Sequence, residues 1–204
     1  MKTLVVVYRP RGDRSRTGAL ADHAGALLKK RGVTVDVLDV GQDVPDLLTP
    51  GKLAAYYRRN YAGETLTPAE TALLKGVDRM ASQLTGADSL VVAYPMYNFS
   101  QPAIVKAWFD AVMQKGLTWD IGPSGYAGLM KGRKALVITS SGGVYEGDMA
   151  PWDHSSGLTQ TQLSFMGYNV AVVKAAGLNR FPEKEPEIMA HAREGIETAL
   201  SSWA

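Results

Sequence analysis

Leu90-Val91-Val92-Ala93 places four apolar residues in a row, and a run of that kind has no wet side. A strand with one face in water alternates apolar and polar residues, whereas a continuous run is stable only where both faces are covered, as inside a parallel sheet flanked by helices. Residues 4–7 (Leu-Val-Val-Val), 135–138 (Ala-Leu-Val-Ile) and 170–173 (Val-Ala-Val-Val) repeat the pattern. Residues 33–39 alternate instead, with one drier face, which suits a sheet edge. Helical patterns separate these runs. Leu20, Ala24, Leu27 and Leu28 share a face that Gly32 closes, and Thr67-Pro68-Ala69-Glu70 is a capping box leading into an expected apolar face of Leu73, Leu74, Val77, Met80, Ala81 and Leu84. A wide stripe of Ile104, Val105, Trp108, Phe109, Val112 and Met113 occupies a predicted helix over 102–115; two more are predicted over 156–166 and through Ile188, Met189, Ala192, Ile196 and Leu200. The right-handed crossover rule then predicts an α/β fold: a doubly wound five-stranded parallel sheet, order 2-1-3-4-5, with helices on both faces. At 204 residues the chain suits a single domain, 1–204. Residues 41–64, broken by a short helix near 53–59, 116–132 and 145–152 are expected as irregular connections.

Composition removes several function classes. Cysteine is absent, so disulfides, thiolate metal sites and a catalytic thiol are excluded, which suits a reducing cytoplasmic setting. The formal net charge is +2 and the basic residues are scattered, which argues against a nucleic-acid partner. The opening apolar run is too short for a membrane span, so no membrane partner is expected. No metal is expected.

The sheet order has a functional consequence. Strand-end loops converge where the order reverses, between the first and third strands. The first loop offers hydroxyls from Ser15 and Thr17, guanidiniums from Arg14 and Arg16, and the amides of a helix N-terminus, a set suited to a phosphate. The third, Pro95-Met96-Tyr97-Asn98-Phe99, is aromatic and polar at once and suits a flat ligand with polar edges. The fourth, Ser140-Ser141-Gly142-Gly143, lets a main chain approach a planar ring and donate amides to it. Each loop alone also reads as a helix cap, a core closure or a turn; their convergence on one crevice favours a ligand. Neither G-x-G-x-x-G nor a G-x-x-x-x-G-K-[ST] loop is present, so a mononucleotide is expected, and FMN has the right shape.

Pro95-Met96-Tyr97-Asn98-Phe99, Lys115-Gly116-Leu117-Thr118-Trp119 and Thr139-Ser140-Ser141-Gly142-Gly143 resemble the FMN-dependent NADH azoreductases, flavodoxin-like NAD(P)H quinone reductases. The resemblance implies a homodimer with FMN near its interface and two-electron reduction of quinone or azo acceptors by NADH or NADPH; if donor and acceptor share one stacking place over the ring, the hydride transfer is expected to be ping-pong. It places Ser15, Arg16 and Thr17 at the phosphate, Pro95, Met96, Tyr97, Asn98 and Phe99 along the ring and its N5 edge, and Ser140, Ser141, Gly142 and Gly143 at the N1 and O2 edge. Arg9 stands where the family usually has a serine and joins the expected phosphate set. Tyr57, Trp119, Tyr145 and His154 are the expected substrate-pocket residues. The chemistry belongs to the cofactor, and no side chain is assigned as catalytic. The alternative is a flavodoxin-type electron carrier serving partner proteins; such carriers are acidic and monomeric, against a sequence pI near 8.7 here.

Overall fold

A computed structural model describes residues 1–203. In chain order the elements are β1 (Lys2–Val7), α1 (Arg16–Lys30), β2 (Thr34–Asp39), α2 (Pro50–Asn60), α3 (Pro68–Thr85), β3 (Ser89–Pro95), α4 (Ala103–Val112), β4 (Trp119–Gly122), β5 (Gly125–Gly128), β6 (Lys134–Ser140), α5 (His154–Met166), β7 (Asn169–Ala175) and α6 (Glu185–Leu200). The main sheet has five strands in the order β2-β1-β3-β6-β7, every pair parallel, which is 2-1-3-4-5 once the β4–β5 hairpin is set aside.

The continuous apolar runs are buried on both sides. Leu4, Val6, Leu90 and Val92 pack with Met80, Trp108, Phe109 and Leu163 on one face. Val5, Val7 and Val91 pack with Leu20, Leu28, Ile196 and Leu200 on the other. Helices α1 and α6 therefore share one layer, and α3, α4 and α5 the opposite one. The capping box forms as its sequence dictates: the Thr67 hydroxyl accepts from the Glu70 amide at 3.3 Å, and the Glu70 carboxylate accepts from the Thr67 amide at 2.9 Å.

Four expectations are corrected. The connection over 116–132 contains an antiparallel hairpin, β4 paired with β5, turning at Gly125 with φ +96°. The helix near 53–59 is longer and begins with Pro50 in its first turn. Helix α4 stops at Val112 rather than running on to residue 115, because side chains take its last carbonyls: Thr118 Oγ1 donates to Val112 O at 2.9 Å and Gln114 Nε2 to Ala111 O at 3.0 Å. The stretch 145–152 also has regular structure, a 3-10 turn over Gly147–Trp152.

Candidate functional site

The site begins with the termination of β1. After Val7 the chain makes a 3-10 turn at Gly12–Arg14, and Ser15 then caps α1, its hydroxyl accepting from the Gly18 amide at 3.0 Å. A helix start leaves its first amides without internal partners, so the N–H groups of Arg16 and Thr17 point out of the helix at its positive end. Thr17 Oγ1 meets Ser140 Oγ at 2.5 Å, joining the start of α1 to the end of β6 across the β3 strand.

The loop after β3 is fixed just as firmly. The Met96 amide donates to Ser140 O at 2.7 Å, and Tyr97 and Ser100 exchange backbone hydrogen bonds at 3.0 and 2.9 Å. That closes a turn in which Asn98 and Phe99 have φ of +47° and +68°. Asparagine tolerates this region; phenylalanine does so at a cost, and such strain is characteristic of ligand-holding loops. Beneath the turn, Tyr94 and Gln101 reach a polar cluster on α5: Gln101 Nε2 donates to Thr159 Oγ1 at 2.5 Å and Gln162 Oε1 at 2.7 Å, and Tyr94 OH donates to Ser155 O at 3.0 Å and also touches Thr159 Oγ1. Burial pushes the Tyr94 phenol up to about 12.

The loop after β6 is oriented by a fourth loop, the one after β7. Leu178 N–H donates to Ser141 O at 3.1 Å, Asn179 and Arg180 N–H to Gly142 O at 3.2 and 3.0 Å, and Gly177 N–H to Gly143 O at 2.9 Å. In a trans peptide the carbonyl and the following N–H point opposite ways. Three consecutive carbonyls turned toward residues 177–180 therefore turn the amides of Gly142, Gly143 and Val144 away from them, as a row of donors. Among the described residues, the Gly142 and Gly143 amides have no protein acceptor.

The three expected loops meet in one cleft of about 170 Å³. Ser15, Arg16, Thr17, Pro95, Met96, Tyr97, Ser140, Ser141 and Gly142 line it, as the sequence predicts. Pro10, Arg11, Leu178 and Asn179 also line it and were not foreseen. Asn98 and Phe99 continue the Met96–Tyr97 turn as exposed residues, and Gly143 lies against the ring of Tyr145, where an added Cβ would come within 3.2 Å of it.

Arg9 is turned elsewhere. Its guanidinium forms two hydrogen bonds to Asp22, at 2.9 and 3.0 Å, and stands 3.4 Å from Asp39, clasping β1, α1 and β2 on the far side of the loop. The expected substrate residues also separate into two groups. Tyr145 stands edge-on to Phe99 at 5.9 Å, with Trp152 on the same ring at 5.3 Å, beside the cleft. Trp119 instead packs on Phe165 at 5.5 Å and Tyr126 at 5.8 Å, and Tyr57 on Tyr61 at 4.8 Å; Trp119 and Tyr61 line a second cavity of about 300 Å³ with Tyr56 and Phe165. His154 is exposed as the first residue of α5 and lies outside the cleft lining.

Known proteins match this chain along its length. Residues 1–200 fit a family model described by its flavodoxin-like fold. The chain is 36% identical over 196 residues to a protein of Shewanella amazonensis named FMN-dependent NADH:quinone oxidoreductase, covering 96% of this chain and 97% of the relative. A protein of the same name from Shewanella loihica is 33% identical over 202 residues, with 98% and 99% covered. Among solved structures, an FMN-dependent NADH-azoreductase from Bacillus anthracis in complex with FMN superposes with a TM-score of 0.88 at 25% identity, covering 100% of both chains.

Proposed function

This chain belongs to the flavodoxin-like fold family and, within it, to the FMN-dependent NADH:quinone oxidoreductases, and we propose that it acts as a one-domain protomer of a cytoplasmic homodimer that moves two electrons from NADH or NADPH to quinones and azo compounds. The observation that carries this reading is a set of donors without protein acceptors on loops sharing one cleft: the first amides of α1 at one end and those of Gly142 and Gly143 at the other. Their separation by the aromatic turn fits a ligand with an anionic tail and a flat, polar-edged ring.

When bound, FMN supplies a ring that takes hydride from a nicotinamide and passes two electrons to an acceptor. The protein's part is positioning and electrostatics. The α1 amides of Arg16 and Thr17 and the Ser15 hydroxyl would hold the phosphate. Pro95, Met96 and Tyr97, continued by Asn98 and Phe99, would flank the ring. The amides of Gly142 and Gly143 would donate to its polar edge, where donors favour negative charge. The Tyr97 phenol, ordinarily protonated at neutral pH, is pushed further up by its partial burial. Tyr145, with Phe99, borders the place where nicotinamide and acceptor take turns. Four large apolar side chains on and beside the hairpin, Leu117, Ile121, Tyr126 and Leu129, are 43–68% exposed, which supports burial against a second copy. Among the described residues no helix is long and apolar enough to cross a membrane.

Titration with FMN, followed by fluorescence quenching, tests the cofactor. Anaerobic addition of NADH or NADPH should then bleach the bound flavin rapidly, and a simple benzoquinone should restore its colour. Colourless protein that never takes up FMN would end the flavoenzyme reading. Parallel double-reciprocal plots are expected for donor and quinone, and intersecting lines would refute the shared stacking place.

A further inference from the structure

The loop after β7 contributes more than its backbone. Asn179 lines the cleft, and its side-chain oxygen accepts from Arg16 Nη1 at 3.2 Å. A guanidinium has no acceptor, so the carboxamide atom facing it is the oxygen, and the NH2 group is turned the other way. Arg16 is itself held by an ion pair. Its Nε donates to Glu185 Oε1 at 2.8 Å, its Nη2 to Glu185 Oε2, and Glu185 is the first residue of α6, packed in the same layer as α1. Gly142 completes the arrangement: an added Cβ there would come within 2.7 Å of Asn179 Nδ2 and 3.1 Å of its Cγ, so the glycine leaves the room in which the carboxamide sits. Among the described residues Asn179 Nδ2 donates to no protein acceptor; the residue is exposed, its NH2 group lies against Gly142, and it shares the cleft lining with Ser15, Arg16 and Thr17.

A donor with no protein acceptor, in the cleft that the start of α1 also lines, is suited to an oxyanion. We propose that Asn179 is a cofactor-binding residue whose NH2 group donates to the FMN phosphate, held in place by the Glu185–Arg16 pair; this rests on the FMN reading above. The phosphate is then bound from two segments far apart in sequence, the start of α1 and the start of the loop before α6. Arg16 also serves here as a strut, because its charge is shared with Glu185.

The test compares FMN with riboflavin, which lacks the phosphate. Dissociation constants are measured by fluorescence quenching for the wild type, Asn179→Ala, Asn179→Asp and Gly142→Ala. A lost hydrogen bond to a charged group predicts an FMN Kd raised roughly tenfold to a hundredfold in Asn179→Ala, with riboflavin unchanged. Asn179→Asp should weaken FMN further by setting a carboxylate against the dianion. Gly142→Ala should weaken FMN by displacing the carboxamide and should weaken riboflavin as well, because the Gly142 amide serves the ring, so the phosphate-specific reading rests on the two Asn179 variants. Wild-type affinity for FMN in both Asn179 variants overturns the assignment, and so does a riboflavin Kd that rises in those variants in step with that of FMN. Wild-type protein that binds neither flavin refutes the flavoenzyme reading and this assignment with it.

Discussion

Thr159→Val exchanges a buried hydroxyl for a methyl of nearly the same size, so it opens no cavity and isolates the value of one polar atom. Thr159 is fully buried on α5 and its Oγ1 accepts from Gln101 Nε2 at 2.5 Å while donating to Ser155 O at 3.2 Å. Valine leaves one Gln101 N–H without an acceptor in a region where, among the described residues, Gln101 Oε1 already lacks a donor. Tyr94 is less affected, because its OH keeps Ser155 O at 3.0 Å. Stranding a buried donor costs about 1–3 kcal/mol, and in a chain of this size each kcal/mol lowers Tm by about 2–4 °C. Tyr94→Phe is the control: it removes a hydroxyl without stranding a donor, since Thr159 still donates to Ser155 O, and should cost less than about 1 kcal/mol. The assay is urea unfolding of the cofactor-free protein, with the double variant added to measure coupling. Gln101 also ends the loop that carries the strained turn at Asn98 and Phe99, so Thr159→Val should weaken FMN binding as well. A Thr159→Val protein as stable as the wild type, or a Tyr94→Phe protein less stable than Thr159→Val, would refute the account of this cluster.

Arg9→Ala should leave the FMN Kd unchanged and lower stability by no more than about 1 kcal/mol, the usual ceiling for a partly exposed ion pair; a weakened FMN complex would return Arg9 to the phosphate. Tyr94 and Tyr168 are both pushed up by burial to about 12, above the phenol value of the unfolded chain near 10, so their stabilising effect is complete below pH 10. It should be lost as pH rises from 10 toward 12, at about 1.4 kcal/mol per pH unit for each tyrosine, and urea midpoints of Tyr94→Phe and Tyr168→Phe should each show a shallower alkaline decline than the wild type. Gly128→Ala drives a methyl into the main chain of Met166 and Gly167, where nothing flexible can yield, so a loss of about 2 kcal/mol or more is expected in thermal unfolding; a neutral result would mean that the hairpin can lift off α5.

What was legible in the sequence is what neighbouring residues decide. The central strands were readable because a continuous apolar run has few other stable settings, and the α3 start because a capping box closes within four residues. The hairpin was not readable: β4 and β5 are four residues each, three of the eight are glycine, and neither shows clear alternation. Trp119 and Tyr145 look alike as aromatic residues in loops, yet only the fold sends one to the Phe165 cavity and the other to Phe99. Asn179 carried no local signal, because its contact with Arg16 spans 163 positions and exists only because α1 and α6 lie in one layer.

The same distinction bears on how the cleft attracts its ligand. Read locally, Arg9, Arg11, Arg14 and Arg16 form a cluster of four positive charges in eight residues, an obvious anion trap. In the folded chain Arg9 is neutralised by Asp22 and Asp39, and Arg16 by Glu185. Among the described residues Arg11 and Arg14 make no ion pair, and of these two Arg11 lines the cleft while Arg14 lines the adjoining groove between α1 and α6. Close to the phosphate position the remaining donors are mostly neutral and fixed: helix amides, the Ser15 hydroxyl and the Asn179 carboxamide. Fixed neutral donors lose little on addition of salt, whereas attraction by exposed guanidiniums is screened within about 8 Å at physiological ionic strength. The FMN on-rate should therefore fall with added salt through Arg11 and Arg14, while the off-rate stays nearly constant, because the groups that hold the phosphate once it has arrived carry no net charge to be screened.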